Sequence, residues 1–156
     1  ILYFSTGGRF IFGGAKPVPV DPFNLRDGIK DLALVSLVGP LTNVSLAIIS
    51  SVLIHALYPE MSFNAVMNDN IFGFILTKTV EWNLILAIFN LMPIPPLDGS
   101  KVFALLLPKK MAAAYLSLGN LGMIILLVLL FFPIGSFSLM GLVYVLINAA
   151  LSLLGF

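Results

Sequence analysis

The segment FNLMPIPPLDGSK, residues 89–101, places an aspartate, Asp98, behind three prolines (Pro93, Pro95 and Pro96) and directly before Gly99. Proline fixes φ and lacks an N–H, so these three cannot continue a helix and force an extended, sharply turning backbone. Gly99 permits a tight turn or a close approach of backbone to a ligand. The run leading into the turn is apolar, and an ionised carboxylate at bilayer depth costs about 2.5–3.5 kcal/mol, so Asp98 calls for a partner. Irregular backbone at that depth survives only where protein buries it or where it lines a wet cavity. A carboxylate held rigidly there suits a cation or a proton-handling role. The plainer alternative is a membrane-surface turn whose Asp98 caps the next helix.

Other residues with chemistry to offer are few. Lys78 and Glu81 stand three apart and are expected to pair on one helix face, as a structural ion pair or as part of an ion or proton pathway. His55, the one histidine, sits in LIHALYPE and reads as an interfacial or helix-packing residue. Asn43 fits interhelical hydrogen bonding, Asn148 fits helix packing, and Gly39-Pro40 marks a kink or a point of close packing. There is no cysteine, which excludes disulfides and thiolate metal sites.

The elements that must position these groups are membrane helices. Of 156 residues, 60% are hydrophobic and only 10% charged, with a mean hydropathy of +1.09. A soluble domain carries about 25% charged residues, so lipid is the expected solvent. Net charge is +1, and no basic patch with interleaved aromatics suggests nucleic acid. Four apolar stretches, about 32–57, 71–92, 111–132 and 137–156, read as spans, the first longer than a ~30 Å bilayer core requires. Residues 1–31 read as the end of a preceding hydrophobic segment followed by a loop or hairpin, because the Val-Pro alternation in AKPVPVDPFNLRDG forbids a helix. The expected fold is therefore all-α: one membrane-embedded domain over 1–156, a multi-pass helical bundle with a short irregular N-terminal loop.

Orientation follows from charge. Arg9, Lys16, Arg26 and Lys30 precede the first span, and Lys101, Lys109 and Lys110 lie between the second and third. Alternating spans put both groups on one side, whereas the loop 58–70 and the turn at Pro133 hold no Lys or Arg. The positive-inside bias makes residues 9–30 and 98–110 cytoplasmic.

The segment FNLMPIPPLDG resembles the Asn-x-x-Pro-x-Pro-x-x-Asp-Gly element of the site-2 protease family, intramembrane zinc metallopeptidases. Upstream, GGAKPVPVDPFNLRD and LALVSLVGPLTNVSLA are similar to the stretch between that family's metal-binding helix and its next membrane helix. The likeness covers residues 13–101. It implies that Asp98 is a zinc ligand, that Asn90 helps hold substrate or the developing oxyanion, and that Gly39 and Asn43, with Pro95 and Gly99, pack the site or its substrate. It further implies Zn2+ as cofactor and transmembrane or membrane-associated proteins as substrates. In such chemistry two imidazoles and a carboxylate hold a tetrahedral zinc with one open position for water, whose lowered pKa supplies the nucleophile. An amide donor at the oxyanion is worth roughly 2.7–4 kcal/mol.

The family's remaining ligands and its catalytic glutamate come from a His-Glu-x-x-His helix that is not in these residues. That motif precedes the matched region, and the chain opens on Ile1 in mid-flow, so the expectation is a piece of a longer protein. Alone, it is expected neither to hydrolyse peptides nor to bind zinc tightly. The contrasting reading is a non-catalytic membrane protein: an inactive homologue that binds transmembrane segments, or a small ion or solute carrier built on Lys78 and Glu81.

Overall fold

A computed structural model describes residues 28–135 and 137–156, with Asn120 described by its backbone alone. The expected N-terminal loop up to residue 27, with Arg9, Lys16 and Arg26, lies outside the described residues. Those described are all-α. Seven helices follow one another: α1 Ile29–Leu57, α2 Phe63–Asp69, α3 Ile71–Asn90, α4 Asp98–Ala104, α5 Lys109–Leu116, α6 Gly119–Phe131 and α7 Leu139–Leu153. The described residues form no strand, only an isolated bridge between Ile134 and Phe137.

Two of these helices, α1 and α3, are long and apolar enough to cross a membrane. The stretch 111–132, expected as one segment, is divided between α5 and α6, which bend by 67° from one another; together they are apolar enough to serve as one broken span. At 15 residues α7 is shorter than a usual crossing of about 20.

Helix starts are encoded locally. Ser62, Asn70 and Ser138 are N-caps whose side chains accept from the N–H groups of Ala65, Gly73 and Gly141, satisfying donors that a helix start leaves open. Gly28 leads into α1 with φ +55°, a conformation a side chain resists. The end of α3 at Asn90 lies just before Pro93, which biases Met92 away from helix.

One stripe of α1 faces protein: Ala33, Ser36, Pro40, Ala47, Ser50, Ser51 and Ile54 are buried, at spacings that recur along one helical face. Its other side exposes Leu34, Val35, Val38, Leu41, Ile49 and Val52, as a lipid-facing surface does. Between α1 and α3, Ala47, Ile54, Val66, Leu76, Val80 and Leu84 make one apolar core, closed at its end by Phe63 and Phe156. A second core joins Met92 of the 91–97 connection to Leu126 of α6 and to Leu139 and Val143 of α7. Helix α4 returns against α1.

Candidate metal site

The turn that carries Asp98 is built from short local bonds. Ile94 N–H donates to the Met92 carbonyl and Leu97 N–H to the Ile94 carbonyl, both at 2.9 Å. The Pro95–Pro96 peptide is cis. The first turn of α4 then folds back onto the end of α3. A Cβ placed on Gly99 would lie 2.1 Å from the Leu91 carbonyl oxygen, so only glycine allows this approach. Asn90 and Asp98 thus stand on the two arms of one tight reversal. Pro95, Gly99 and Ser100 are buried within it, and the Ser100 hydroxyl donates to the Leu97 carbonyl at 2.6 Å.

Asp98 does not cap α4. Leu97 holds the capping position, with no side-chain cap bond, and Asp98 is the first residue of the helix. Its carboxylate is divided between two neighbours. Oδ1 accepts from Lys101 Nζ at 2.8 Å. Oδ2 lies 3.7 Å from where a Cβ on Gly39 would stand, and it is the single heavy atom among the described residues reported near that position. Gly39 is itself exposed. The structure therefore brings Gly39 and Asp98 together.

Asn43, one helical turn beyond Gly39, and Asn90, at the end of α3, are both half-buried. The described residues provide neither side chain with a hydrogen-bond partner, and neither bonds to Asp98. His55 belongs to the far end of α1. Sixteen residues separate it from Gly39, about 24 Å at ~1.5 Å per residue. There its Nε2 meets the Leu154 carbonyl at 2.8 Å and its ring stacks on Phe156, the packing role expected of it. Lys78 and Glu81 pair at 2.6 Å and line a cleft of about 430 Å³ with Tyr144 and Asn148.

Two participants gave no signal in the sequence. Tyr115 on α5 donates to the Pro93 carbonyl at 2.6 Å. Gly122 on α6 lies so close that a Cβ there would be 1.9 Å from the Pro95 carbonyl oxygen. A glycine within LGNLGMIILL reads as generic small-residue packing, since no local pattern says which backbone it meets.

A zinc site needs at least three protein ligands, and the described residues hold no group of three His, Cys, Asp or Glu side chains. The carboxylate of Asp98 fits a single ligand position and not a complete set.

With this geometry in view, two curated relatives are informative. The chain is 36% identical over 133 residues to the Bacillus subtilis (strain 168) protein named "Putative zinc metalloprotease YwhC", covering 82% of this chain and 58% of that one. It is 37% identical over 102 residues to "Putative zinc metalloprotease MJ0611" of Methanocaldococcus jannaschii, covering 65% of this chain and 47% of that one. The likeness is to zinc metalloproteases. These matches support a metalloprotease family, and with the apolar helices they fit a membrane metalloprotease-like protein. The chain spans about half the length of the curated relatives it matches. No family model matches the chain, and no solved structure matches it.

Proposed function

We propose that this chain is the Asp98-bearing portion of an intramembrane zinc metalloprotease of the site-2 type, acting on transmembrane or membrane-associated protein substrates. The observation that carries the reading is the presentation of Asp98. A proline turn ends α3, Gly99 packs it shut, and the carboxylate turns Oδ2 toward Gly39 while Oδ1 takes the Lys101 bond. Asp98 takes the part of one zinc ligand, and the others belong to a His-Glu-x-x-His helix that docks on the Gly39 side. When bound, the metal supplies Lewis-acid polarisation and a water of lowered pKa.

The chain's own residues do the rest. Asp98 holds one position of the ligand set through Oδ2, while its Oδ1 accepts from Lys101. Asn90, whose amide has no partner among the described residues, donates to the oxyanion that forms on the peptide carbonyl. Gly39 and Asn43 keep the facing wall of α1 low and polar, and Pro95 and Gly99 hold the reversal closed. Without the two histidines and the catalytic glutamate, these residues alone do not hydrolyse peptides.

The charge pattern supports a cytoplasmic location for this end of a multi-pass membrane protein. Lys30 and Lys109 line one cleft, Lys101 lies on α4 beside α1, and Glu60 and Asp69 flank α2 near the other end of α1. The test is zinc content of the full-length protein purified in detergent. Asp98→Asn lowers zinc per chain and abolishes chelator-sensitive cleavage of a membrane peptide; unchanged occupancy would remove Asp98 from the ligand set. The Lys78–Glu81 cleft motivates the second reading, a carrier. Transport lost in Glu81→Gln and intact in Asp98→Asn would favour that one instead.

A further inference from the structure

The proline turn leaves the Pro93 and Pro95 carbonyl oxygens without a backbone donor among the described residues. Ile94 N–H ties the Pro93–Ile94 peptide to the Met92 carbonyl, but no backbone bond holds either of these two oxygens. Contacts from outside do. The Tyr115 hydroxyl donates to the Pro93 carbonyl at 2.6 Å, and the bare backbone of Gly122 is pressed against the Pro95 carbonyl, where a Cβ would stand 1.9 Å away. These residues lie on α5 and α6, the two arms of one 67° bend. Apolar packing reinforces the grip, since Met92, Ile94 and Leu97 join Leu126, Leu129 and Leu130 of α6 in one core. Only two residues separate Pro95 from Asp98, so a displacement of this carbonyl passes directly into the start of α4. Neither Tyr115 nor Gly122 is recorded in contact with Asp98.

We propose that Tyr115 and Gly122 are positioning residues: the α5–α6 bend holds the proline turn and thereby sets where the Asp98 carboxylate stands relative to Gly39. This rests on the reading of Asp98 as a metal ligand, and it deepens that reading by assigning a function to helices outside the Asn90–Gly99 segment. Altering a ligand's own hydrogen-bond partner typically changes metal affinity about 10- to 100-fold; Tyr115 and Gly122 act through the intervening turn, so their effect on affinity is expected to be smaller.

The experiment uses the full-length chain in lipid nanodiscs and reads two quantities. The first is Co2+ affinity, by competition with a chelator, together with the visible spectrum of the bound ion. The second needs no metal: because residues 1–156 contain no cysteine, a Gly39→Cys, Asp98→Cys pair reports the α1–α4 approach by its rate of disulfide formation. Tyr115→Phe, which removes one oxygen, is expected to weaken Co2+ binding severalfold, by less than about 10-fold, to shift its spectrum and to slow cross-linking severalfold. Gly122→Ala should do the same or more. Gly119→Ala, on the same helix with nothing within 4 Å of its added Cβ, should change neither.

If Tyr115→Phe leaves both quantities unchanged, the inference fails. It fails equally if Co2+ binding weakens at an unchanged cross-linking rate, because Asp98 has then not moved. Slower cross-linking with unaltered Co2+ affinity supports the positioning role and removes Asp98 from the ligand set, so the two readings fall separately. If Gly122→Ala does not fold, Tyr115→Phe still decides.

Discussion

Lys78–Glu81 and Lys101–Asp98 are both i,i+3 ion pairs, at 2.6 and 2.8 Å, and their four side chains are exposed to nearly the same degree, 34 and 35% against 29 and 31%. By spacing and exposure they are equivalent. They differ in backbone. Lys78 and Glu81 project from regular turns in the middle of α3, so the helix alone sets their geometry. Asp98 opens a new helix immediately after a reversal, and its position depends on Gly99 against Leu91, Gly122 against Pro95 and Tyr115 on Pro93. The carboxylates also look onto different ground. Glu81 lines a cleft with Tyr144, Asn148 and several apolar side chains, whereas Asp98 turns Oδ2 toward Gly39 of α1. Partnering by a lysine therefore does not separate a structural pair from a candidate ligand; the backbone that aims the carboxylate does.

The sharpest way to break this comparison is to damage one tight backbone approach in each region. Gly99→Ala drives a Cβ to 2.1 Å from the Leu91 carbonyl, and Gly73→Ala drives one to 2.3 Å from the Val66 carbonyl. Backbone cannot yield as a flexible side chain does, so each variant should lose about 3 kcal/mol, measured by denaturation in detergent. Only Gly99→Ala should also lose zinc from the folded fraction. Equal zinc content in the two variants would erase the distinction between the regions.

Next in size is Asp98→Asn. Removing a ligand should weaken zinc binding more than about 100-fold, beyond the range seen when an outer partner is altered, with little change in helix content by circular dichroism. Glu81→Gln removes a partly exposed i,i+3 pair and should cost about 0.5 kcal/mol, with zinc content unchanged; a loss of zinc there would make the two ends one functional unit.

The smallest effect sharpens the contrast most. Lys101→Met removes a partly exposed i,i+3 pair and should cost no more than about 0.5 kcal/mol. Because it frees Oδ1 of Asp98, metal affinity should rise by a small factor. A fall in affinity would show that Lys101 orients the carboxylate rather than competing for it.

Much of the architecture was legible because lipid imposes a simple rule. A segment that must satisfy its own backbone and expose apolar side chains reads as an uncharged run, and the runs at 32–57 and 71–92 became α1 and α3. The ends were less legible. Helix α1 begins three residues earlier, and α3 stops at Asn90 as the coming Pro93 takes hold. Helix α2 falls inside the expected loop 58–70, since seven residues offer little periodicity and its Ser62 cap needs a helix to cap. The break between α5 and α6 left no mark in an apolar composition, because hydropathy records what surrounds a segment and not the direction in which it runs.

At the candidate site, residue types and spacing singled out Asp98, Asn90, Pro95 and Gly99. Proline and glycine act through local sterics, and a carboxylate in an apolar run is conspicuous by its cost. Their meeting with Gly39, some sixty residues away, and the support from Tyr115 and Gly122 depended on helix packing. An Oδ2 aimed at a bare glycine and a carbonyl gripped by a distant tyrosine are relations between segments, fixed by close packing at a distance in sequence that no local propensity encodes. The sequence by itself determined that these helices are apolar, that the chain must turn at 93–96 and that a carboxylate follows the turn. Only the tertiary structure decided which way that carboxylate faces.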